Sequence, residues 1–263
     1  MRVVEIFINF ETMRLFLTVL FICSMVAAQA QIVNDAGKVR FMSYNIRVGK
    51  GMDLNQDLER IATVINRENP FIVALQEIDS VTSRTGGVNQ IEELGRMTSM
   101  FATFAGAIDY SGGRYGVGML SKEKPLSIKK VALPGREESR ILLIVEFRNF
   151  VAATTHFSLT EEDRVEGAKI LNREAMLFNK PMLVGGDFNA QPQSKTIQII
   201  NTVFTTLSNN SIATFPANSP EICIDYIFGK NLKNFTYKVL YNSVVPESIA
   251  SDHRPVVVDV IIK

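Results

Sequence analysis

Apolar runs of strand length recur along the chain, and several stop abruptly at a polar side chain. "KVRFMSYNI" (38–46), "FIVALQE" (71–77), "GVGMLS" (116–121), "RILLIVEF" (140–147), "FVAATTHF" (150–157), "PMLVGGDFNA" (181–190), "CIDYIFG" (223–229) and "RPVVVDVII" (254–262) each predict a strand. "FIVALQE" stays apolar without alternation until Gln76-Glu77, the pattern of a strand covered on both faces. Between the runs the period changes to that of a helix. Asp53 reads as an N-cap, with Gln56 three residues on completing a capping box. Leu58, Ile61, Ala62 and Ile65 follow at helical spacing, and Asn69-Pro70 ends the segment. "QIEELGRMTSM" (90–100) predicts a second helix. Thr160 opens a third, with Val165, Ala168, Leu171 and Ala175 on one face, and Ser194 caps a shorter fourth. Helices are thus interspersed with strands, yet the Arg148-Asn149 connection is too short for anything but a hairpin. The pattern is that of one α/β domain over about residues 31–263, with no linker, repeat or low-complexity run.

Residues 15–28, "LFLTVLFICSMVAA", are apolar, preceded by Arg14 and followed by "AQA" at 28–30. That is the charged region, core and small-x-small site of a signal peptide, and it is short for a membrane span. Glu5 and Glu11 do not suit such a segment, whereas Met13-Arg14 is a normal start. The expectation is initiation at Met13, cleavage after Ala30, and export to the periplasm or the medium with no stable membrane anchor in the mature chain. Cys23 would be removed, leaving Cys223 alone, so no intramolecular disulfide is expected. Lys and Arg number 28 against 27 Asp and Glu, which disfavours gripping long nucleic acid by phosphate neutralisation alone. A nuclease with a locally basic groove remains compatible with that balance.

The polar residues fall at the strand ends. Asn45, Glu77, His156, and Asp187 with Asn189 each follow an apolar run; Asp225 opens another, and Asp252-His253 precedes the last. Each has a structural explanation alone: a Gly-rich turn, a solvated strand end, a turn stiffened by Pro255, a satisfied core histidine. Together, at the ends of successive strands, they fit a site on the rim of a rigid sheet. Carboxylates and carboxamides suit a hard divalent cation such as Mg²⁺ or Mn²⁺, with Glu77 as central carboxylate and Asn45 and Asp252 nearby. Two histidines are too few for a three-histidine zinc site.

"YNI", "LQE", "TTHF", "GGDFNA", "IDYIF" and "SDHRPV" resemble the successive signatures of the endonuclease/exonuclease/phosphatase superfamily, the deoxyribonuclease-I-like fold. The resemblance runs from about Val39 to Val260, and "TGGVNQIEEL", "GGRYGVGMLS" and "TFPANSPEICIDYIF" resemble a bacterial, metal-dependent hydrolase branch. It implies a four-layer α/β/β/α sandwich of two mainly antiparallel sheets with outer helices, and phosphoester hydrolysis by in-line attack of water. It further implies Glu77 as principal metal ligand, with Asn45 and Asp252 completing or supporting the site. By the same resemblance Asp187 and Asn189 orient or deprotonate the water and hold the phosphoryl group. His253 contacts a phosphate oxygen or acts as acid/base, Asp225 holds its ring, and His156 donates to the phosphate. Where many relatives carry an acidic residue or a histidine two positions after the asparagine, this chain has Arg47, either a phosphate clamp or a solvated charge. Arg114 and Arg140 are further candidate substrate contacts, with Arg84 and Arg164 behind them.

Substrate is less determined than chemistry. A near-neutral charge and the absence of tryptophan supply no evident stacking platform for nucleic acid. The expectation is a phosphodiesterase on nucleic acid, a lipid or a small molecule, with nuclease as first subcategory and a lipid or inositol phosphate phosphoesterase as alternative. A glycosidase using Glu77 and Asp187 as paired carboxylates, and a non-catalytic secreted binding protein, are the readings from other classes. No protein partner is evident from the sequence.

Overall fold

The structure is a computed structural model that describes residues 38–263. The expected signal peptide, residues 1–30, lies outside the described residues, and among those described no helix is long and apolar enough to cross a membrane.

The chain first builds one sheet. Strand β1 (Lys38–Asn45) leads through helix α1 (Leu58–Glu68) to β2 (Ile72–Ser80); helix α2 (Gln90–Thr98) and the hairpin β3 (Phe101–Tyr110) and β4 (Gly113–Ser121) follow. It then builds a second: β5 (Ser127–Leu133), β6 (Arg140–Glu146), β7 (Val151–His156), α3 (Glu161–Met176), β8 (Met182–Asp187), α4 (Lys195–Ile200), β9 (Phe204–Thr206) and β10 (Asp225–Lys230). Strands β11 (Tyr237–Val244) and β12 (Val256–Ile262) return to the first sheet. The strand orders are β11-β12-β1-β2-β4-β3 and β5-β6-β7-β8-β10-β9. Each sheet holds a parallel pair with a helical crossover, β1-α1-β2 and β7-α3-β8, and the ladders β2–β4, β3–β4, β11–β12, β5–β6, β6–β7, β8–β10 and β9–β10 are antiparallel.

Three apolar layers separate four layers of structure. Phe41, Ala74, Val117 and Met119 of one sheet meet Leu143, Val145, Ala152, Leu183 and Ile227 of the other. Outside the first sheet, Ile61, Ala62 and Ile65 of α1 and Ile91 and Leu94 of α2 cover Met42, Tyr44, Val73 and Leu75. Outside the second, Ala168, Leu171 and Ala175 of α3 and Ile197 and Ile200 of α4 cover Ile144, Ala153, Val184 and Phe228. This is the expected α/β/β/α sandwich.

Two local expectations change. Helix α1 is capped by Asp57, whose carboxylate accepts from the Arg60 amide at 2.9 Å, rather than by Asp53. Asp53 is engaged instead by the Arg60 guanidinium at 2.8 Å, and Gln56 donates to the Val48 carbonyl rather than closing a capping box. The third helix begins after Thr160 as expected, but Val165 is only half-buried, and Gly167 and Asn172 share the covered face.

Candidate active site

Asn45, Glu77, His156 and Asp187 all sit at or just inside the carboxyl ends of the two parallel pairs. His156 and Asp187 are register partners across β7 and β8, and Asp187 faces Asp225 across β8 and β10. Ladder geometry alone therefore sets three of the side chains side by side.

Glu77 reaches the site through a bulge. The β2–β4 ladder pairs Gln76 with Val117 and Ile78 with Gly116, leaving Glu77 as the extra residue, at φ 57°. Gln76 points between the sheets, donating to Thr154 Oγ1 at 3.0 Å, and Ile78 packs in the outer layer. Strict alternation would have sent Glu77 into that outer apolar layer; the left-handed residue turns it onto the rim instead. Such a conformation costs a non-glycine residue on the order of 1 kcal/mol. Asn45 offsets part of this by donating from Nδ2 to Glu77 Oε1 at 3.0 Å.

The same amide donates to Asp187 Oδ2 at 3.1 Å. His156 Nε2 lies 3.4 Å and His253 Nε2 3.6 Å from that oxygen. Asp187 Oδ1 accepts from the Asn189 backbone at 2.9 Å, and the Asn189 side chain donates to the Phe157 carbonyl, which fixes the loop after β8 at φ 48°. His253 is carried by the segment between β11 and β12, which Ser251 ties to β1 by donating to the Asn45 carbonyl at 2.8 Å. Its Nδ1 lies 2.9 Å from Asp225 Oδ2, and Phe215 packs against the ring at 4.8 Å between centroids.

The two imidazoles are held in opposite states. Burial opposes charge on both. For His253 the carboxylates of Asp225 and Asp187 outweigh it and raise the pKa to about 10, a cationic ring at neutral pH. For His156 burial prevails over Asp187, with Arg140 adding to it, and the pKa falls to about 4. The Glu77 carboxyl is pushed up by burial and by Asp252 and Asp187, against the Asn45 hydrogen bond and His253. A carboxyl set beside two further carboxylates is a place where a cation lowers the energy, so this oxygen-rich rim fits a hard divalent ion. Among the described residues, Asp187, Asp225 and His253 also bring ligand atoms within 4.8 Å of one another. Asp225 Oδ2 and His253 Nδ1 are already bonded to each other, however, which leaves Glu77 the better anchor.

The arginines separate. Arg47 Nε stands 3.2 Å from Asp252 Oδ2, at the site. Arg140, expected as a substrate contact, is instead 7% exposed behind His156, with Nη1 3.3 Å from its Nδ1. Arg114 serves the β3–β4 hairpin, paired with Asp109 and donating to the Gly106 carbonyl. Arg84 lies over Tyr110 and pairs with Asp79, and Arg164 donates to the Ser158 and Leu159 carbonyls. Sequence reasoning gave no role to Ser251 or Phe215, although both stand inside its signatures, "SDHRPV" and "TFPANSPEICIDYIF", and a serine hydroxyl is the type that anchors a turn.

The described geometry has counterparts. In solved structures the chain is similar to an endonuclease/exonuclease/phosphatase from Bacteroides vulgatus (23% identity, 86% of this chain and 99% of that one, TM-score 0.68). It is also similar to the Bacteroides thetaiotaomicron mannosyl-6-phosphatase (20%, 85% and 99%, TM-score 0.66). A D. rerio TDP2 complexed with single strand DNA product is similar as well (16%, 85% and 98%, TM-score 0.66). At these identities the likeness is one of fold. No curated protein sequence matches the chain significantly. The model of the Endonuclease/Exonuclease/phosphatase family matches residues 42–253, a span that runs from β1 to His253 and takes in every strand-end residue of the site. With that span and this shared architecture, the chain belongs to the Endonuclease/Exonuclease/phosphatase family, whose members are hydrolases acting on phosphoesters.

Proposed function

We propose that the protein is a divalent-metal-dependent phosphodiesterase that attacks phosphorus with a positioned water. The observation that carries this reading is the convergence of Asn45, His156 and His253 on Asp187 Oδ2, with Glu77 on the other side of the Asn45 amide. Glu77, with Asn45 and Asp252, would hold Mg²⁺ or Mn²⁺, which when bound supplies charge stabilisation at the phosphoryl oxygens. The chain's own residues do the rest. Asp187 accepts a hydrogen from the attacking water and sets its direction, while its neighbour Asn189 holds the loop and offers a carboxamide to the phosphoryl group. Cationic His253 donates to a non-bridging oxygen, with Asp225 holding its ring. Neutral His156 donates from its other side. The buried acceptor and donors are already in place, so little reorganisation is needed as charge grows at phosphorus.

The substrate class to test first is nucleic acid, with lipid and inositol phosphates next; the signal-like residues 15–30 support an exported, periplasmic or extracellular enzyme. The test is hydrolysis of bis-(p-nitrophenyl) phosphate and of plasmid DNA with Mg²⁺, with Mn²⁺ and with EDTA, wild type beside Asp187→Ala. The expected outcome is metal-dependent turnover, removed by EDTA and lowered about 10³-fold or more in Asp187→Ala. Turnover that survives both the chelator and the substitution would overturn the reading. Export is tested separately: the secreted protein should begin at Gln31.

A further inference from the structure

We infer that Arg140 is a positioning residue that locks His156 in the tautomer whose Nε2–H faces the reacting phosphate. The inference rests on the phosphodiesterase reading for its consequence, and on hydrogen-bond chemistry for its content. A guanidinium carries only donors. Arg140 Nη1 lies 3.3 Å from His156 Nδ1, so that nitrogen must present its lone pair and the ring proton must sit on Nε2. The far side of the ring agrees: Nε2 is 3.4 Å from Asp187 Oδ2, an acceptor. The other tautomer would set N–H against N–H at one end and lone pair against carboxylate at the other.

His253 is built the opposite way. Its Nδ1 faces a carboxylate, Asp225 Oδ2 at 2.9 Å, which favours a proton there. The two rings thus approach one oxygen with opposite partners behind them, a donor at His156 Nδ1 and an acceptor at His253 Nδ1.

Arg140 is itself fixed. It is 7% exposed, its Nη1 is 3.0 Å from Glu138 Oε1 and its Nη2 3.4 Å from Glu137 Oε1. Glu137 also accepts from Ser158 Oγ at 2.8 Å and from the Leu159 amide at 2.7 Å, in the turn that directly follows His156. One carboxylate therefore holds both the arginine and the exit of the strand that carries the histidine.

The experiment is nitrogen-15 NMR of the imidazoles in histidine-labelled full-length protein at neutral pH with Mg²⁺. The chain has two histidines, so the signals are assignable from His156→Ala and His253→Ala. The wild type is expected to show His156 with a protonated Nε2 and a bare Nδ1. Arg140→Met should give a mixture of tautomers at His156 and lower kcat on bis-(p-nitrophenyl) phosphate about 10²-fold, with KM within about twofold. Arg140→Lys, which keeps a donor, should restore the Nε2–H signal and most of the rate. Unmoved His253 signals report that the variants are folded; if Arg140→Met does not fold, the wild type and Arg140→Lys spectra decide. A wild-type His156 protonated at Nδ1, or an Nε2–H state unchanged in folded Arg140→Met, overturns the inference. Absence of phosphodiester hydrolysis alongside the expected spectrum instead overturns the phosphodiesterase reading and leaves the tautomer assignment standing.

Discussion

Asp187 Oδ2 lies within hydrogen-bond reach of Asn45 at 3.1 Å and faces two ring nitrogens, yet the residues that decide how those rings behave lie one layer further out. Asp225 stands behind one and Arg140 behind the other. Glu137 reaches further still. Burial opposes its charge, but the Leu159 amide, its own amide, Ser158 and Arg140 outweigh it and hold the carboxyl down to about 2, against 4.5 ordinarily. A carboxyl depressed on folding contributes stability that is fully present above 4.5 and is lost as pH falls through about 2. Glu137→Gln should therefore be less stable than wild type in urea at pH 7, and the gap should close between about pH 4.5 and pH 2. A gap that stays constant with pH would contradict this. At this scale the rim residues were legible, because a polar residue that halts an apolar run declares itself. The inward turn of Arg140 was not, since nothing local distinguishes a buried arginine from a solvated one.

All eight strands read from apolar runs are inner strands of the two sheets. The four that escaped, β3, β5, β9 and β11, are the four sheet edges. An inner strand is covered by neighbours and by a layer on each face, so it is written as a continuous apolar run. An edge strand such as "SIKKVAL" carries lysines outward, which also discourages pairing with another chain, and its pattern is that of ordinary surface. The bulge at Glu77 was equally hidden, because an extra residue changes register without changing composition. One element-level device is open to test. Lys230 on β10 is 1% exposed, and its ammonium donates to the carbonyls of Ala175 at 2.8 Å and Phe178 at 2.6 Å, closing the carboxyl end of α3. Lys230→Met should cost about 1.5–3 kcal/mol in chemical denaturation, with kcat on the diester unchanged. A stability within about 0.5 kcal/mol of wild type would show that the carbonyls find water instead.

The two sheets meet closely beneath the site. A Cβ on Gly185 would lie 2.6 Å from Phe41 Cε1 and 2.9 Å from Ala74 Cβ, both on the opposite sheet. Gly185→Ala should destabilise the protein by about 1–3 kcal/mol and also lower kcat, since the displaced strand carries Asp187 two residues on. Unchanged stability and rate together would mean that the intersheet layer yields freely. The architecture was legible from its motifs, but not the path by which the chain enters it, because strand order depends on contacts remote in sequence. That path matters. The last described strand in chain order, β12, lies between β11 and β1 in the interior of its sheet, and the segment just before it delivers Asp252 and His253. A chain still leaving the ribosome can carry Glu77, His156 and Asp187 and yet have neither the second imidazole nor the strand that completes the first sheet. On the proposed reading hydrolysis waits on Asp252 and His253, and a chain cut short before them is silent rather than slow.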